Sequence, residues 1–320
     1  MTRLNCFQAT LKVLSFFSFF LSSIAYSDPK VIGITQIVDH PSLNAIREGV
    51  LESLAQQGFK EGSEFTVIFE NAQGNPTTAA QIAKKFASLP LDVIVPITTP
   101  SAQAIAQQVK TIPIVFAAIT DPLAAKIVMS FDRPGGNVTG VADIPPLKQQ
   151  LAFIKKAVPS LKTLGIIYNP GEVNMVSFVE KMKILAKQEH ITLLTAAAPK
   201  SVDVQAAAQS LIERVDAIFI GNDNTIVSGL EPLVKICLNF KKPLFMSDPD
   251  SVERGAFAAH AYDQRKIGQQ VGVMVAKILK GKSPGNLPVE TPQNLEVFTN
   301  HTTAQVINLP PPTAHSSSEK

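Results

Sequence analysis

The chain has 320 residues, of which 45% are hydrophobic and 17% are charged, and its formal net charge is +3. This composition excludes a disordered chain, and the small net charge without a basic cluster argues against a nucleic-acid-binding protein. The length is sufficient for two ordinary domains.

The first 27 residues have the pattern of an export signal. Arg3 and Lys12 precede an apolar run at 13–21, and small residues follow, so cleavage after Ala25 or after Ser27 fits equally well. The apolar run is shorter than the roughly 20 residues that a membrane span needs. An uncleaved anchor is the alternative interpretation of this segment.

The two cysteines bear on anchoring and on stability. Cys6 precedes the apolar run, so no cysteine stands at the cleavage point to carry a lipid. Removal of the signal would leave Cys237 alone, and a single cysteine forms no internal disulfide. We therefore predict a periplasmic protein, secreted through its N-terminal signal peptide and stabilised by its hydrophobic core.

From residue 30 onward, short apolar runs alternate with longer amphipathic stretches, which is typical of βα units and a parallel sheet. The runs are continuous and rich in β-branched or aromatic residues, as expected for strands that helices cover on both faces. In the first half, the predicted strands are 31–34, 65–69, 93–97 and 114–117, and the predicted helices are 41–57, 77–88 and 101–109.

The pattern restarts after GGNVTG at 135–140, which is predicted to be a turn rather than a phosphate loop because a strand follows it. The second half has predicted helices at 146–157, 173–188, 204–214 and 226–239, and predicted strands at 164–168, 192–194, 217–220 and 244–246. A short strand at 256–261 and a long helix at 264–280 follow, and this helix could belong to either half. The sequence therefore predicts an α/β fold of two Rossmann-like, doubly wound lobes with parallel sheets.

Polar side chains cluster where the predicted strands end, and open parallel sheets bind their ligands at that edge. The candidate ligand-binding residues are Thr35, Gln36, His40, Thr99, Ser101 and Thr120 in the first half, and Asn169, Glu172, Asn174, Asp223, Asn224 and Asp248 in the second. Helix capping explains any one of them, since Ser, Thr, Asn and Asp are favoured N-caps. Capping needs only one such residue for each helix, so the whole set favours a ligand site between the halves.

The chemistry of this set suits a zwitterion. Thr99 and Ser101 begin a helix whose free N–H groups and positive dipole end favour a carboxylate. Glu172, Asp223 and Asp248 can accept charge-assisted hydrogen bonds from an ammonium group, and we expect the Asp223 carboxylate to point into the cleft. An α-amino acid is the simplest such ligand. A purine, a peptide or another carboxylate-bearing solute is the alternative.

Catalysis is less well supported by the sequence. The five histidines have no metal-ligand spacing, and the chain has no G-x-S-x-G, Walker A or G-x-G-x-x-G motif. Cys237 falls in an apolar helical stretch and is predicted to be an inert core residue. We therefore predict no catalytic residues, metal or cofactor, and a hydrolase acting in the cleft is a less favoured alternative.

Several ordered segments resemble the ABC-transporter substrate-binding family that includes tryptophan- and tyrosine-binding members. They are residues 33–41 (GITQIVDHP), 71–74 (NAQG), 118–122 (AITDP), 133–140 (RPGGNVTG), 168–172 (YNPGE) and 247–252 (SDPDSV). Residues 221–224 (GNDN) depart from a commoner Thr-Asp-Asn-Thr type, which leaves the contact of Asn222 in doubt, whereas Asp223 and Asn224 match. Residues 142–145 vary a segment near the expected first crossover.

The resemblance implies type I periplasmic-binding-protein architecture, with two lobes joined by three crossovers. The expected lobes are 28–142 plus about 262–288, and 143–261 plus about 289–309, followed by a disordered tail at 310–320. The resemblance also implies that a monomer delivers its ligand to an ABC permease and its ATPase. The chain has no Trp and three Tyr, which disfavours a sugar ligand, so an aromatic or branched amino acid leads. A ligand-sensing receptor module is the alternative function.

Overall fold

The computed structural model describes residues 28–313, which form two sheets with helices between their strands. The predicted signal peptide at 1–27 lies outside the described residues, and so does the part of the predicted tail at 314–320. Within the described part of the chain, no helix combines the length and the apolar character needed to cross a membrane.

The first sheet is built from five parallel strands whose residues are mostly buried and apolar. They are β1 (Lys30–Gln36), β2 (Phe65–Asn71), β3 (Val93–Ile97), β4 (Ile114–Ile119) and β5 (Val138–Ala142). The helices between them are α1 (Pro41–Gln56), α2 (Pro76–Ser88) and α3 (Thr99–Gln108). The spatial order of the strands is β2-β1-β3-β4-β5, which is a doubly wound order.

The second sheet repeats this plan and adds an antiparallel edge strand. Its strands are β6 (Thr163–Tyr168), β7 (Thr192–Ala197), β8 (Ala217–Ile220), β9 (Leu244–Met246), β10 (Ala258–Ala261) and β11 (Glu296–Thr299), in the order β11-β10-β9-β8-β6-β7. The helices that follow in chain order are α4 (Leu147–Ala157), α5 (Val173–Gln188), α6 (Val204–Leu211), α7 (Asn224–Ser228), α8 (Leu230–Asn239), α9 (Asp250–Glu253), α10 (Gln264–Leu279) and α11 (His301–Ile307).

The predicted fold class is confirmed, with differences in the second half. The predicted helix 226–239 is divided into α7 and α8 at Gly229, where an added Cβ would lie 3.0 Å from the Ser201 carbonyl oxygen. Residues 212–214 form a 3₁₀ turn rather than the end of α6. Sequence patterns missed β11 and α11, because β11 is a four-residue, half-buried edge strand without a continuous apolar run.

Helix α10 packs along α1, and this contact assigns it to the first sheet. A Cβ placed on Gly268 would lie 2.0 Å from the Ile46 carbonyl oxygen, and one on Gly49 would lie 2.2 Å from the Arg265 carbonyl oxygen. The two backbones therefore approach each other more closely than any side chain allows. The amphipathic pattern of α10 left this assignment open, and the predicted lobe boundaries themselves stay a prediction.

Gly268→Ala is expected to destabilise the protein by about 2 kcal/mol, because backbone shifts that relieve overpacking typically cost 1–3 kcal/mol. Urea unfolding of the ligand-free protein measures this change. Lys277→Ala, on the exposed side of the same helix, should change stability by less than about 0.5 kcal/mol and serves as the control. Equal stability of Gly268→Ala and the parent would contradict the close approach of α1 and α10.

Candidate functional site

The strand order reverses at two points, between β1 and β3 in the first sheet and between β6 and β8 in the second. Doubly wound sheets bind ligands beyond the carboxyl ends of the strands at such points. A cavity lies there between the two sheets, with about 400 Å³ of space between atoms, including the part that opens to solvent. Its walls are His40, Ser42, Leu43, Ile46, Thr98, Thr99, Ala118, Thr120, Asp143, Asn174, Asn222, Asp223, Asn224, Val227, Asp248 and Gln264.

The structure brings together seven of the twelve predicted ligand-binding residues. Those that line the cavity are His40, Thr99, Thr120, Asn174, Asp223, Asn224 and Asp248. Those that do not line it are Thr35, Gln36, Ser101, Asn169 and Glu172. Each of the five lies close in sequence to a lining residue, so the positions after the strands indicated the loops that line the cavity but not which side chains of those loops face it.

The five residues outside the cavity have other surroundings. Thr35 is buried within β1, and Gln36 donates from Nε2 to the Val38 carbonyl oxygen at 3.0 Å and to Asn44 at 3.2 Å. Ser101 is buried in the first turn of α3. Asn169 donates from Nδ2 to the Thr225 hydroxyl at 2.8 Å.

Glu172 connects the starts of α5 and α7. Its carboxylate accepts hydrogen bonds from the backbone N–H and the Nδ2 of Asn224 and from the backbone N–H and the hydroxyl of Thr225. Burial raises the pKa of Glu172, whereas these donors lower it. With four donors on its two oxygens, Glu172 cross-links the two helix starts outside the cavity, and its predicted contact with a ligand ammonium stays a prediction.

Asp223 lines the cavity and also caps α7. One carboxylate oxygen accepts from the backbone N–H groups of Thr225 and Ile226, and the other accepts from Asn169 at 2.7 Å. Burial raises the pKa of Asp223, and the charge of Glu172 raises it further. Removal of the Asp223 carboxylate would leave these three backbone N–H groups without an acceptor, so it is expected to lower the stability of the fold. Its contact with a ligand stays a prediction.

The N-terminus of α3 presents donors without acceptors. The hydroxyl groups of Thr98, Thr99 and Ser101 are buried and have no hydrogen-bond partner within residues 28–313. Thr98 is the N-cap residue, yet its side chain makes no capping bond. The first N–H groups of a helix also lack helical acceptors. This end of α3 is thus suited to an anionic group.

The backbone at this end of the cavity is strained. Thr98 has φ +71°, and Ala118, which lies within the neighbouring strand β4 where its register with β5 shifts, has φ +55°. Both conformations are uncommon for residues with a Cβ, and the β-branched side chain of Thr98 makes its conformation the more costly one. Such strain is concentrated at functional sites, where the surrounding structure holds it in place.

Three buried carboxylates, from Asp143, Asp223 and Asp248, also line the cavity. Burial raises the pKa of Asp143 to about 6; hydrogen bonds from Gln264 and Asn222 act against this, and the charge of Asp248 adds to it. Burial also raises the pKa of Asp248, whereas hydrogen bonds from Ser251 and Ser42 lower it. No Lys or Arg side chain in the described part of the chain lines the cavity. Arg254 lies outside the wall, although its positive charge also lowers the pKa of Asp248.

Hydrogen bonds and an ion pair connect the two halves across the cavity. Ser42 of α1 donates to Asp248 Oδ1 at 2.9 Å, and Asn222 Nδ2 donates to Asp143 Oδ2 at 2.7 Å. On another side, Lys181 of α5 lies 2.6 Å from the carboxylate of Asp121, which follows β4. These contacts require that the two halves lie against each other, so the structure represents a closed arrangement.

Sequence reasoning missed several lining residues. Asp143 and Gln264 lie where the chain passes from one sheet to the other. Asp143 directly follows β5, so the expectation that ligand-binding residues follow strand ends could have identified it. Asn222 was left in doubt and lines the cavity beside Asp223. The apolar members Leu43, Ile46 and Val227 carry no signal in the sequence that distinguishes them from core residues.

The described residues include few groups suited to covalent or metal chemistry. Within residues 28–313, no group of three His, Cys, Asp or Glu side chains is arranged to hold a metal ion. Burial raises the pKa of the Cys237 thiol in α8 to about 12. A thiol with this pKa stays protonated at neutral pH and is a poor nucleophile.

The family model for ABC transporter substrate binding protein matches residues 31–312 of this chain. A tyrosine-binding protein of Clostridioides difficile (strain R20291) is 36% identical over 280 residues, which cover 88% of this chain and 81% of that protein. The match to the family model therefore includes all the residues that line the cavity.

Two solved structures resemble the fold and differ in how closely they match. The ABC domain in complex with L-Trp from Streptococcus pneumonia has a TM-score of 0.85 at 35% identity, with 89% of this chain and 96% of that chain covered. The ligand-free, open structure of a substrate binding protein with adhesive properties from Clostridium difficile has a TM-score of 0.68 at 34% identity, with 91% and 97% covered. At nearly equal identity, the arrangement of this chain is nearer to that of the L-Trp complex than to that of the open structure.

Proposed function

Because this chain belongs to the ABC transporter substrate binding protein family, we propose that it binds an aromatic L-amino acid in the cavity between its two halves. The bound amino acid would then be delivered to an ABC permease and its ATPase. The observation that carries the choice of ligand is the set of three buried carboxylates beside a cavity that no described Lys or Arg side chain lines.

The ammonium group of an amino acid supplies the missing charge. Buried charges are costly unless they are paired, and the raised pKa values of Asp143, Asp223 and Asp248 express this cost. Both protein donors to Asp143 end on Oδ2, from Asn222 at 2.7 Å and from Gln264 at 3.4 Å. We therefore assign Oδ1 of Asp143 as an ammonium contact.

The start of α3 would hold the ligand carboxylate. Thr98 and Thr99 line the cavity, and their buried hydroxyls are donors that lack an acceptor in the described residues. The positive end of the helix dipole adds to the attraction for a negative group. A cavity that holds both hydroxyl donors and carboxylates would select a zwitterion against a simple amine or acid.

The remaining wall suits an apolar side chain. Leu43, Ile46, Ala118 and Val227 line the cavity between the polar groups. The tyrosine-binding relative and the L-Trp complex support an aromatic side chain here. Because ligand groups would contact both halves only when these are closed, binding would shift the equilibrium towards the closed form that the transporter recognises.

The proposal includes the setting in which the protein works. A substrate-binding protein of an importer meets its ligand outside the cytoplasmic membrane, and the predicted signal peptide would bring this chain to the periplasm as a monomer. The ligand would leave chemically unchanged, because the site binds by hydrogen bonds, charge and apolar contact and would have no catalytic role.

Isothermal titration calorimetry with L-Trp, L-Tyr and L-Phe is expected to detect binding by the purified protein. Tryptamine, which lacks the carboxylate, and indole-3-propionate, which lacks the ammonium group, should bind at least tenfold more weakly than L-Trp, because each leaves one set of buried polar groups unpaired. Mass spectrometry of the recovered ligand should show no chemical change.

Two outcomes would contradict this proposal. The first is the absence of heat and of thermal stabilisation with all twenty amino acids, in which case another carboxylate-bearing solute would lead. The second is tryptamine binding as tightly as L-Trp, which would show that the start of α3 does not bind the ligand carboxylate. D-Trp serves as a stereochemical control, since three fixed contacts to one carbon distinguish the enantiomers.

A further inference from the structure

His40 is a buried imidazole in the wall of the cavity with unused hydrogen-bonding capacity. Its side chain lies at the start of α1, where the residue is 7% exposed. Neither ring nitrogen has a hydrogen-bond partner within residues 28–313. Buried polar atoms are almost always paired in native proteins, so two unpaired atoms in one side chain point to a partner that the protein itself does not supply.

The polar neighbours of His40 have hydrogen bonds to other residues. Asn224 is close enough to affect the imidazole, but its Nδ2 donates to Glu172 at 2.6 Å. Asp39, the adjacent acidic residue, accepts from Asn44 Nδ2 at 2.7 Å. The guanidinium of Arg254 donates to Glu231 and to the Val227 carbonyl oxygen. Each of these three residues therefore has a hydrogen bond to a residue other than His40.

The imidazole is neutral at physiological pH. Burial lowers the pKa of His40 to about 3, and the positive charge of Arg254 lowers it further, against the opposing effects of Asp39 and Asn224. A neutral imidazole has one N–H donor and one nitrogen that accepts. It can therefore accept from an N–H or O–H group of the ligand, or donate to a ligand acceptor.

The charged groups of an amino acid already have partners in the cavity. The start of α3 suits the carboxylate, and three aspartates suit the ammonium group. What stays unassigned on an aromatic ligand is the polar tip of its side chain, which is the phenol O–H of tyrosine or the indole N–H of tryptophan. Both are donors, and the phenylalanine ring has neither.

We propose that His40 selects aromatic amino acids whose side chain carries a hydrogen-bond donor, so that tyrosine or tryptophan is bound in preference to phenylalanine. The selection rests on the proposed function and specifies its substrate class. Its physical basis is that a site built for a hydrogen bond rejects the analogue without it, because the buried protein group is then left unpaired.

Calorimetric titration of the parent and of His40→Leu with L-Tyr, L-Trp and L-Phe tests the selection. The parent should bind L-Tyr or L-Trp roughly ten- to a hundredfold more tightly than L-Phe. In His40→Leu, the affinity for the preferred ligand should fall at least tenfold while that for L-Phe changes less than about threefold, so the preference collapses. His40→Gln, which keeps an acceptor and a donor, should restore part of it.

The controls separate selection from folding. His40 makes no side-chain cap bond to α1, so its replacement leaves the helix start intact, and the melting temperature of each variant checks this. His301→Leu, at an exposed position in α11, should keep the preference of the parent. The parent protein alone also tests the inference, because its affinity for L-Tyr or L-Trp can be compared with its affinity for L-Phe without any variant.

Each possible result supports or overturns the inference. Equal affinity of the parent for L-Phe and for both donor-bearing ligands would overturn the role of His40 and leave the proposed function standing. An equal loss of affinity for all three ligands in His40→Leu would also overturn it and would indicate that His40 contacts the α-amino or carboxylate group common to them. No binding of any amino acid to the parent would overturn the proposed function and the selection with it.

Discussion

Thr99→Val is expected to weaken binding of the amino acid by roughly ten- to a hundredfold without lowering the melting temperature of the ligand-free protein. The Thr99 hydroxyl is buried, 1% of the residue being exposed, and it has no hydrogen-bond partner among the described residues. Valine has the same shape and removes only the hydroxyl. A hydrogen bond to a charged group contributes about 1.5–3 kcal/mol, and 1.4 kcal/mol corresponds to a factor of ten.

Thr139→Val is the matched control for this experiment. Thr139 is also buried, in β5, but its hydroxyl donates to the Leu287 carbonyl oxygen at 2.8 Å and does not line the cavity. Its replacement should lower the melting temperature and leave the affinity unchanged. Calorimetry and thermal melting of both variants therefore distinguish a ligand contact from a structural contact. Unchanged affinity of Thr99→Val would remove the start of α3 as the carboxylate site.

Asp143→Asn is expected to weaken binding by about 30-fold or more. If the Asp143 carboxylate contacts the ligand ammonium in the closed form, its neutralisation leaves that charge buried with one partner fewer, and such losses cost about 2–5 kcal/mol. An asparagine oxygen can still accept from Asn222 and Gln264, so the crossover should keep its hydrogen bonds. Because burial already disfavours the ionised carboxylate, the neutral amide should not lower the melting temperature of the ligand-free protein.

The pH dependence of binding follows from the same group. Burial raises the pKa of Asp143 to about 6, so in the closed, ligand-free form a proton occupies it increasingly as the pH falls below 6. The ammonium group needs the ionised carboxylate and must displace that proton. The affinity of the parent should therefore decrease as the pH falls from 7 to 5. For each proton that binding displaces, the decrease is up to about tenfold per pH unit. Asp223 and Asp248, with raised pKa values, act in the same direction.

Titrations at pH 7, 6 and 5 on Asp143→Asn and the parent measure this effect. The variant should show a smaller decrease, because one of the titrating groups is gone. Asp216→Asn is the control, since the Asp216 carboxylate accepts two backbone N–H groups from Lys162 and Thr163 and lies outside the cavity. An Asp143→Asn protein with the affinity and pH profile of the parent would exclude an ammonium contact at this carboxylate.

The alternation of apolar runs and amphipathic stretches was enough to predict the two doubly wound sheets. It was also enough to find the loops that form the cavity, including Thr99, Asn174, Asp223 and Asp248. The physical reason is that parallel strands place all their carboxyl ends at one edge, so residues far apart in sequence converge without any knowledge of side-chain contacts. The local hydrophobic pattern of the sequence is therefore sufficient to predict which loops converge.

Only the tertiary structure decided what each polar side chain does within those loops. Glu172 and Asp143 are both buried carboxylates near strand ends, but four donors from residues 224 and 225 occupy Glu172, whereas Asp143 keeps one oxygen clear of its two protein donors. Whether a buried group is satisfied depends on neighbours some 50 to 120 residues away in the chain. The docking of α10 on α1 has the same origin, because the contact of Gly268 with Ile46 depends on a backbone distance. Periodicity specifies which face of an element is buried, and the distances reached after folding specify which buried groups stay free to bind.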